Sequence, residues 1–158
     1  MKKVLLDTSI LVDWIRAQRR SRPKNERYAF NSNKAILLII DLINEDAYIY
    51  ISCHTLKELL QYPNISEQEE KRIRSKLPEF CNILDTTAEV AEIAGILSRQ
   101  SAEYREYHIE DCYIAATAIH YKIPLYTRNP GDFKYVPHKN LNINVPYNYK
   151  TYHDEPQL

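Results

Sequence analysis

The chain predicts an α/β domain of three layers, with helices on both faces of a short parallel sheet. Two observations carry this. Short apolar or β-branched runs alternate with segments whose apolar residues recur at helical spacing, a pattern of βαβ units in which strands lie parallel. And 158 residues at 44% hydrophobic are enough for one buried core and fall within the size of one domain.

The elements follow in order. Lys3 to Leu6 reads as a short buried strand, and Ser9 can cap a helix from Ile10 to about Ala17. A basic, proline-interrupted segment spans Arg16 to Arg27. Asn33 to Asn44 has helical spacing, Tyr48 to Ile51 is β-branched and aromatic and reads as strand, and His54 to Tyr62 returns to helix. Ser66 with Glu69 and Thr86 with Glu89 are capping-box pairs that start two further helices, with a strand at Phe80 to Leu84 between them. A helix from Ile109 to Tyr121, a strand from Leu125 to Thr127 and an edge strand within Leu141 to Val145 complete a single domain over 1–145. Residues 146–158 form a polar, tyrosine-rich tail without a clear period.

Acidic residues stand at the ends of these elements. Asp7 closes Val4-Leu5-Leu6, Glu58 follows the Tyr48 strand, Asp111 opens an alanine-rich helix, and Asp132 sits in the turn Asn129-Pro130-Gly131-Asp132. Ligands of open parallel sheets bind beyond the carboxyl ends of the strands, and Asp7, Glu58 and the Asn129–Asp132 turn belong to that edge. Clustered carboxylates there call for a divalent cation, and hard oxygen donors select Mg²⁺ or Mn²⁺. Each acid also has a local reading. Asp7 can cap or turn, Glu58 can close a capping box with Thr55, Asp111 can interact with a helix dipole, and Asp132 can be a turn residue. Only the combination points to chemistry.

That combination resembles the PIN domain family, in particular its VapC-type toxin ribonucleases. The resemblance rests on Leu6-Asp7-Thr8-Ser9-Ile10-Leu11-Val12-Asp13, Thr55-Leu56-Lys57-Glu58-Leu59, Glu110-Asp111-Cys112-Tyr113-Ile114-Ala115-Ala116-Thr117-Ala118 and Thr127-Arg128-Asn129-Pro130-Gly131-Asp132-Phe133, in that order. It spans residues 2 to about 135. It implies a metal-dependent endoribonuclease in which Asp7 and Asp111 anchor the ion, Glu58 binds it or orients the attacking water, and Asp132 or Asn129 completes the site. Ser9 and Thr127 are candidates for orienting the carboxylates. The resemblance further implies an RNA substrate, a small antitoxin protein as partner, and a homodimer. A non-catalytic module binding RNA or protein on the same fold is the alternative.

Composition limits the remaining choices. Lys plus Arg and Asp plus Glu are each 21, so capture of RNA must rely on local patches. The segment with Arg16, Arg19, Arg20, Arg22, Lys24 and Arg27 is the strongest, a phosphate contact or simply a solvated loop; Arg128 is a further candidate beside the site. Tyr104, Tyr107 and Tyr113 are candidate stacking surfaces, while the five histidines lack metal-motif spacing and read as surface or core residues. Two glycines, Gly95 and Gly131, cannot build a Walker loop, a dinucleotide turn or a nucleophile elbow. Asp7-Thr8-Ser9 lacks the paired aspartates of haloacid dehalogenase-type phosphatases. Three unpaired cysteines, no signal-peptide pattern and no long apolar run place the chain in the cytoplasm, without a membrane contact.

Overall fold

A computed structural model describes residues 1–150. Five strands, β1 (Lys3–Leu6), β2 (Tyr48–Ser52), β3 (Asn82–Leu84), β4 (Leu125–Tyr126) and β5 (Ile143–Asn144), form one sheet in the order β3-β2-β1-β4-β5. Every pairing is parallel. Helices α1 (Thr8–Ala17), α2 (Glu26–Asn44), α3 (Cys53–Leu60) and α4 (Glu67–Phe80) lie in the first part of the chain, and α5 (Ala88–Gln100) and α6 (Ile109–Tyr121) in the second.

Two apolar clusters account for the layers. Val4 and Leu6 of β1 share one with residues of α1 to α4, including Ile10, Trp14, Ile39 and Leu77. Leu5, whose side chain points to the opposite face because strand residues alternate, belongs to the other, with Val90 and Leu97 of α5 and Ile114 and Ala118 of α6. The expected three-layer architecture is therefore present. The chain leaves β1 toward β2 on one side and returns beside β1 with β4 on the other. The carboxyl ends of β1 and β4 thus flank the switch point where parallel sheets bind ligands.

Several boundaries move, for local reasons. Asp7 rather than Ser9 caps α1, so the helix starts at Thr8. Asn25 accepts from the Tyr28 amide at 2.9 Å and starts α2 at Glu26, absorbing the end of the basic segment into a helix. Ser66 caps α4 as expected, but α5 is capped by Thr87, which leaves Thr86 free to bond His54 Nε2 at 2.8 Å. The helix over Ile109–Tyr121 has the predicted limits.

Tyr147, in the segment the sequence assigns to a polar tail, is 6% exposed and packs in the Trp14 cluster. Its hydroxyl donates to Asp13 Oδ2 at 2.7 Å. The remainder of that tail, 151–158, lies outside the described residues. Among the described residues no helix is long and apolar enough to cross a membrane.

Candidate metal centre

Asp7 leaves β1 at the switch point and is 2% exposed. Its amide continues the ladder to β4 by donating to the Tyr126 carbonyl at 2.9 Å, which fixes its position against two strands. Its Oδ2 accepts from Ser9 Oγ at 2.7 Å and from Thr127 Oγ1 at 2.8 Å, with a longer contact from the Ser9 amide at 3.4 Å. Ser9 Oγ in turn accepts from the Arg128 amide at 3.2 Å. Burial pushes the Asp7 carboxyl above its ordinary range, and the Ser9 and Thr127 bonds pull the other way. Capping and site formation coincide in this residue.

Glu58 is placed by α3. The helix starts earlier than the Thr55 capping box requires: Ser52 is the cap and accepts from the His54 amide at 3.1 Å. The capping reading of Glu58 is thereby overturned, and its carboxylate faces the site instead. Thr8 Oγ1 donates to Glu58 Oε1 at 2.7 Å and lies 3.0 Å from Thr55 Oγ1. Burial raises the Glu58 carboxyl to about 7; the Thr8 bond lowers it, and the charges of Asp111, Asp7 and Glu110 raise it further.

Asp111 lies in the first turn of α6, where Oδ2 accepts from His108 Nδ1 at 2.8 Å. His108 Nε2 is 3.1 Å from the Tyr135 hydroxyl, so the ring is held from both sides. Burial raises the Asp111 carboxyl to about 6, opposed by the His108 bond and reinforced by the charges of Asp7 and Asp132. Asp132 comes from the turn after β4, and one ligand atom from each of His108, Asp111 and Asp132 lies within 4.8 Å of the others. Asn129 is differently engaged: its Oδ1 accepts from Arg128 Nη1 at 3.3 Å.

The same pattern recurs at three acids. The bonds above fall on one oxygen of each carboxylate, Asp7 Oδ2, Glu58 Oε1 and Asp111 Oδ2, and hold it in orientation. The second oxygens are the candidate donors to a cation. Hydroxyl and imidazole donors that orient carboxylates in this way are the usual outer partners of metal ligands. A set of hard oxygens, raised in pKa by burial and by one another, fits Mg²⁺ or Mn²⁺.

His108 and Tyr135 are the residues sequence reasoning missed. The available signal was the three-residue offset between His108 and Asp111, which brings both to one face at a helix start. The Thr8 hydroxyl serves Glu58. The cationic candidates are distributed widely. Arg128 grips Asp13 through Nε at 2.6 Å and Nη2 at 3.2 Å; Arg16 lies 4.2 Å over the Tyr28 ring and 3.9 Å from Asp13; Arg19 pairs with Glu69 at 2.8 Å. Arg20 is exposed and forms no ion pair among the described residues. Of the tyrosines, Tyr104 is buried and unable to stack on a ligand, Tyr107 is exposed, and Tyr113 stacks on His54 at 4.2 Å.

A PIN domain family model matches residues 4–139. The chain belongs to the PIN domain family. Among solved structures, this PIN domain is similar to a chain of VapBC2 from Rickettsia felis bound to a DNA fragment from its promoter. That match has 25% identity, covers 93% of this chain and 98% of the other, and has a TM-score of 0.58. A chain of a toxin–antitoxin complex from Klebsiella pneumoniae matches with 26% identity, 92% and 98% coverage and a TM-score of 0.61. FitAcB from Neisseria gonorrhoeae, at 22% identity, 90% and 97% coverage and a TM-score of 0.63, shares the fold. No curated protein sequence matches the chain. The resemblance read from the four motifs is borne out by family and by fold.

Since Glu58 is no cap, Glu58→Gln separates chemistry from stability. The amide oxygen can still accept from Thr8, so melting by circular dichroism should be unchanged or slightly higher, while nuclease activity falls. A drop in melting temperature would mean that Glu58 supports the fold.

Proposed function

We propose that this PIN domain is the toxin nuclease of a toxin–antitoxin pair, a Mg²⁺- or Mn²⁺-dependent endoribonuclease. The observation that supports the reading is that the charges of Asp7, Glu58 and Asp111 act on one another, each acid being held through one oxygen by a hydroxyl or imidazole. Asp7 and Asp111 hold the ion, Glu58 holds it or orients the attacking water, and Asp132 completes the set. Asn129 is the weaker choice because its carbonyl is turned to Arg128. When bound, a divalent ion supplies an activated water and neutralises charge on the scissile phosphate. The protein's own part is placement: Ser9 and Thr127 fix Asp7, Thr8 fixes Glu58, and His108 fixes Asp111. Glu58, held by Thr8, is positioned to orient the attacking water and to accept its proton. The antitoxin partner belongs to the same reading, supported by the toxin–antitoxin complexes to which the fold is similar; a homodimer and a cytoplasmic location are what the family resemblance implies.

Mapping RNA 5′ ends after induced expression tests it. Discrete new ends that require Asp7 and Mg²⁺ or Mn²⁺ are expected. Identical profiles from wild type and Asp7→Asn, with both proteins folded, would favour a non-catalytic binding module.

The raised carboxyls make a second expectation. Glu58 at about 7 and Asp111 at about 6 lie above their ordinary 4.5 and 3.8, so the metal-free folded protein holds these protons more tightly than the unfolded chain. Their stabilising contribution is complete at acid pH below the ordinary values and is lost as pH rises through 6 to 7. In chelator, thermal melting should fall between pH 5 and pH 8. Metal should offset that loss, with an apparent affinity that rises over the same interval because the ligands bind it deprotonated. A metal-independent melting profile would contradict the metal centre.

A further inference from the structure

A second cleft opens beside the acidic site. It has a volume of about 330 Å³, within the ~300–1,000 Å³ of small-ligand sites. Asp132 stands in its wall and also in the His108–Asp111–Asp132 group, so the cleft adjoins the proposed metal centre. Asn31, from the first half of α2, lines it at 2% exposure, and its Oδ1 is buried with no hydrogen-bond partner. An unpaired buried carbonyl is costly, ~1–3 kcal/mol, and the side-chain amide turns about a soft terminal torsion. Arg27 and Lys150 add two cations that have no ion-pair partner among the described residues. Tyr149 adds an aromatic ring, packed edge-on against Phe30 at 5.5 Å.

An unpaired amide, two cations and a braced ring in one cleft match the parts of a nucleotide: a base edge with donor beside acceptor, a phosphate, and a flat π surface. We propose that this cleft binds one unpaired ribonucleotide of the RNA next to the scissile bond. Asn31 reads its base edge, and Arg27 and Lys150 meet its phosphate. Because Asn31 Oδ1 lacks a donor, the bound base presents one to it beside an acceptor for the side-chain NH₂, as the amino edges of adenine and cytosine and the N3–H edge of uracil all do. The proposal rests on the nuclease reading for the identity of the chain bound, and it makes Asn31 a base-binding residue.

The test is amide NMR titration of the full-length protein, without metal, with AMP, CMP, UMP and ribose 5-phosphate in turn. Shifts confined to residues 27–31, 129–132 and 148–150 are expected, with the nucleotides binding more tightly than ribose 5-phosphate. Asn31→Ala should weaken the nucleotides about tenfold and leave ribose 5-phosphate unchanged, whereas Arg27→Ala or Lys150→Ala should weaken all four alike. Absence of shifts at millimolar nucleotide, or equal affinity for the nucleotides and ribose 5-phosphate in the wild type, overturns the proposal. The exposed Arg27 and Lys150 variants keep the test decisive if Asn31→Ala does not fold: unchanged binding in both overturns it too. Since the titration needs no cleavage, nucleotide binding without nuclease activity would refute the nuclease reading alone, and cleavage without nucleotide binding would refute the cleft alone.

Discussion

Asp7→Asn should reduce metal-dependent RNA cleavage by ~10²-fold or more while leaving the fold intact or more stable. Even outer partners of metal ligands change affinity or activity by ~10–100-fold, and Asp7 is proposed as an anchor. Asn caps a helix as well as Asp does, so α1 keeps its start. Its amide oxygen can still accept from Ser9 and Thr127, whose bonds now fall on Asp7 Oδ2. What disappears is a buried charge whose pKa is already raised by desolvation. Removing that charge relieves the metal-free site, so melting in chelator should hold or rise. A large fall in melting temperature would show that Asp7 is chiefly structural, and undiminished cleavage would remove it from the metal centre.

The largest effect on stability should come from Arg128→Ala. Asp13 has no exposed surface, and its carboxylate accepts from Arg128 at 2.6 and 3.2 Å and from the Tyr147 hydroxyl at 2.7 Å. Asp13 is the centre of a buried polar knot joining α1, the turn after β4 and the chain beyond β5. Taking away one partner of a buried ion pair costs ~3–5 kcal/mol, because the remaining charge is stranded. At ~2–4 °C per kcal/mol for a domain of this size, melting should fall by roughly 6–20 °C. Arg16, 3.9 Å from Asp13, can recover part of this by moving closer, which places the expectation toward the lower end. Adding Asp13→Asn to Arg128→Ala should restore part of the loss, since no unpaired charge remains. Melting equal to wild type for Arg128→Ala would contradict a buried pair. The result also bears on RNA contact: a guanidinium held this way is not free to bind the substrate strand, which leaves Arg27, Lys150 and Arg20 as cations available for phosphate.

Most of the fold was legible because its signals are local. Apolar runs at Lys3–Leu6 and Tyr48–Ile51 give strands, the Ser66–Glu69 pair starts α4, and the alanine-rich run after Asp111 gives α6 with its observed limits. The misread starts share one cause. A carboxylate, amide or hydroxyl elsewhere in the neighbouring sequence can cap equally well, and the choice depends on what each side chain meets. Thr87 caps α5 while the Thr86 hydroxyl bonds His54, and Asn25 starts α2 inside what reads as an irregular basic stretch.

The site divides in the same way. The four acidic stations could be read from their motifs and from the rule that parallel sheets bind at their carboxyl edge. Their outer partners could not. Thr8 meets Glu58 across 50 positions and Thr127 meets Asp7 across 120, and no periodicity encodes such distances. Local signals were also ambiguous where one residue type serves two ends: Glu58 fits a capping box in sequence, and only the early start of α3 at Cys53 frees it for the site.

By itself, then, the sequence determined the layers, the parallel sheet and the edge at which acids collect, because hydrophobic period and capping chemistry act within a few residues. Tertiary structure alone decided which oxygen of each acid is tethered, that His108 braces Asp111, that Arg128 serves Asp13, and that Asn31 faces a cleft without a partner. Those outcomes depend on which hydrogen-bonding groups meet once the strands are in register, and that is a property of the packed chain rather than of any segment of it.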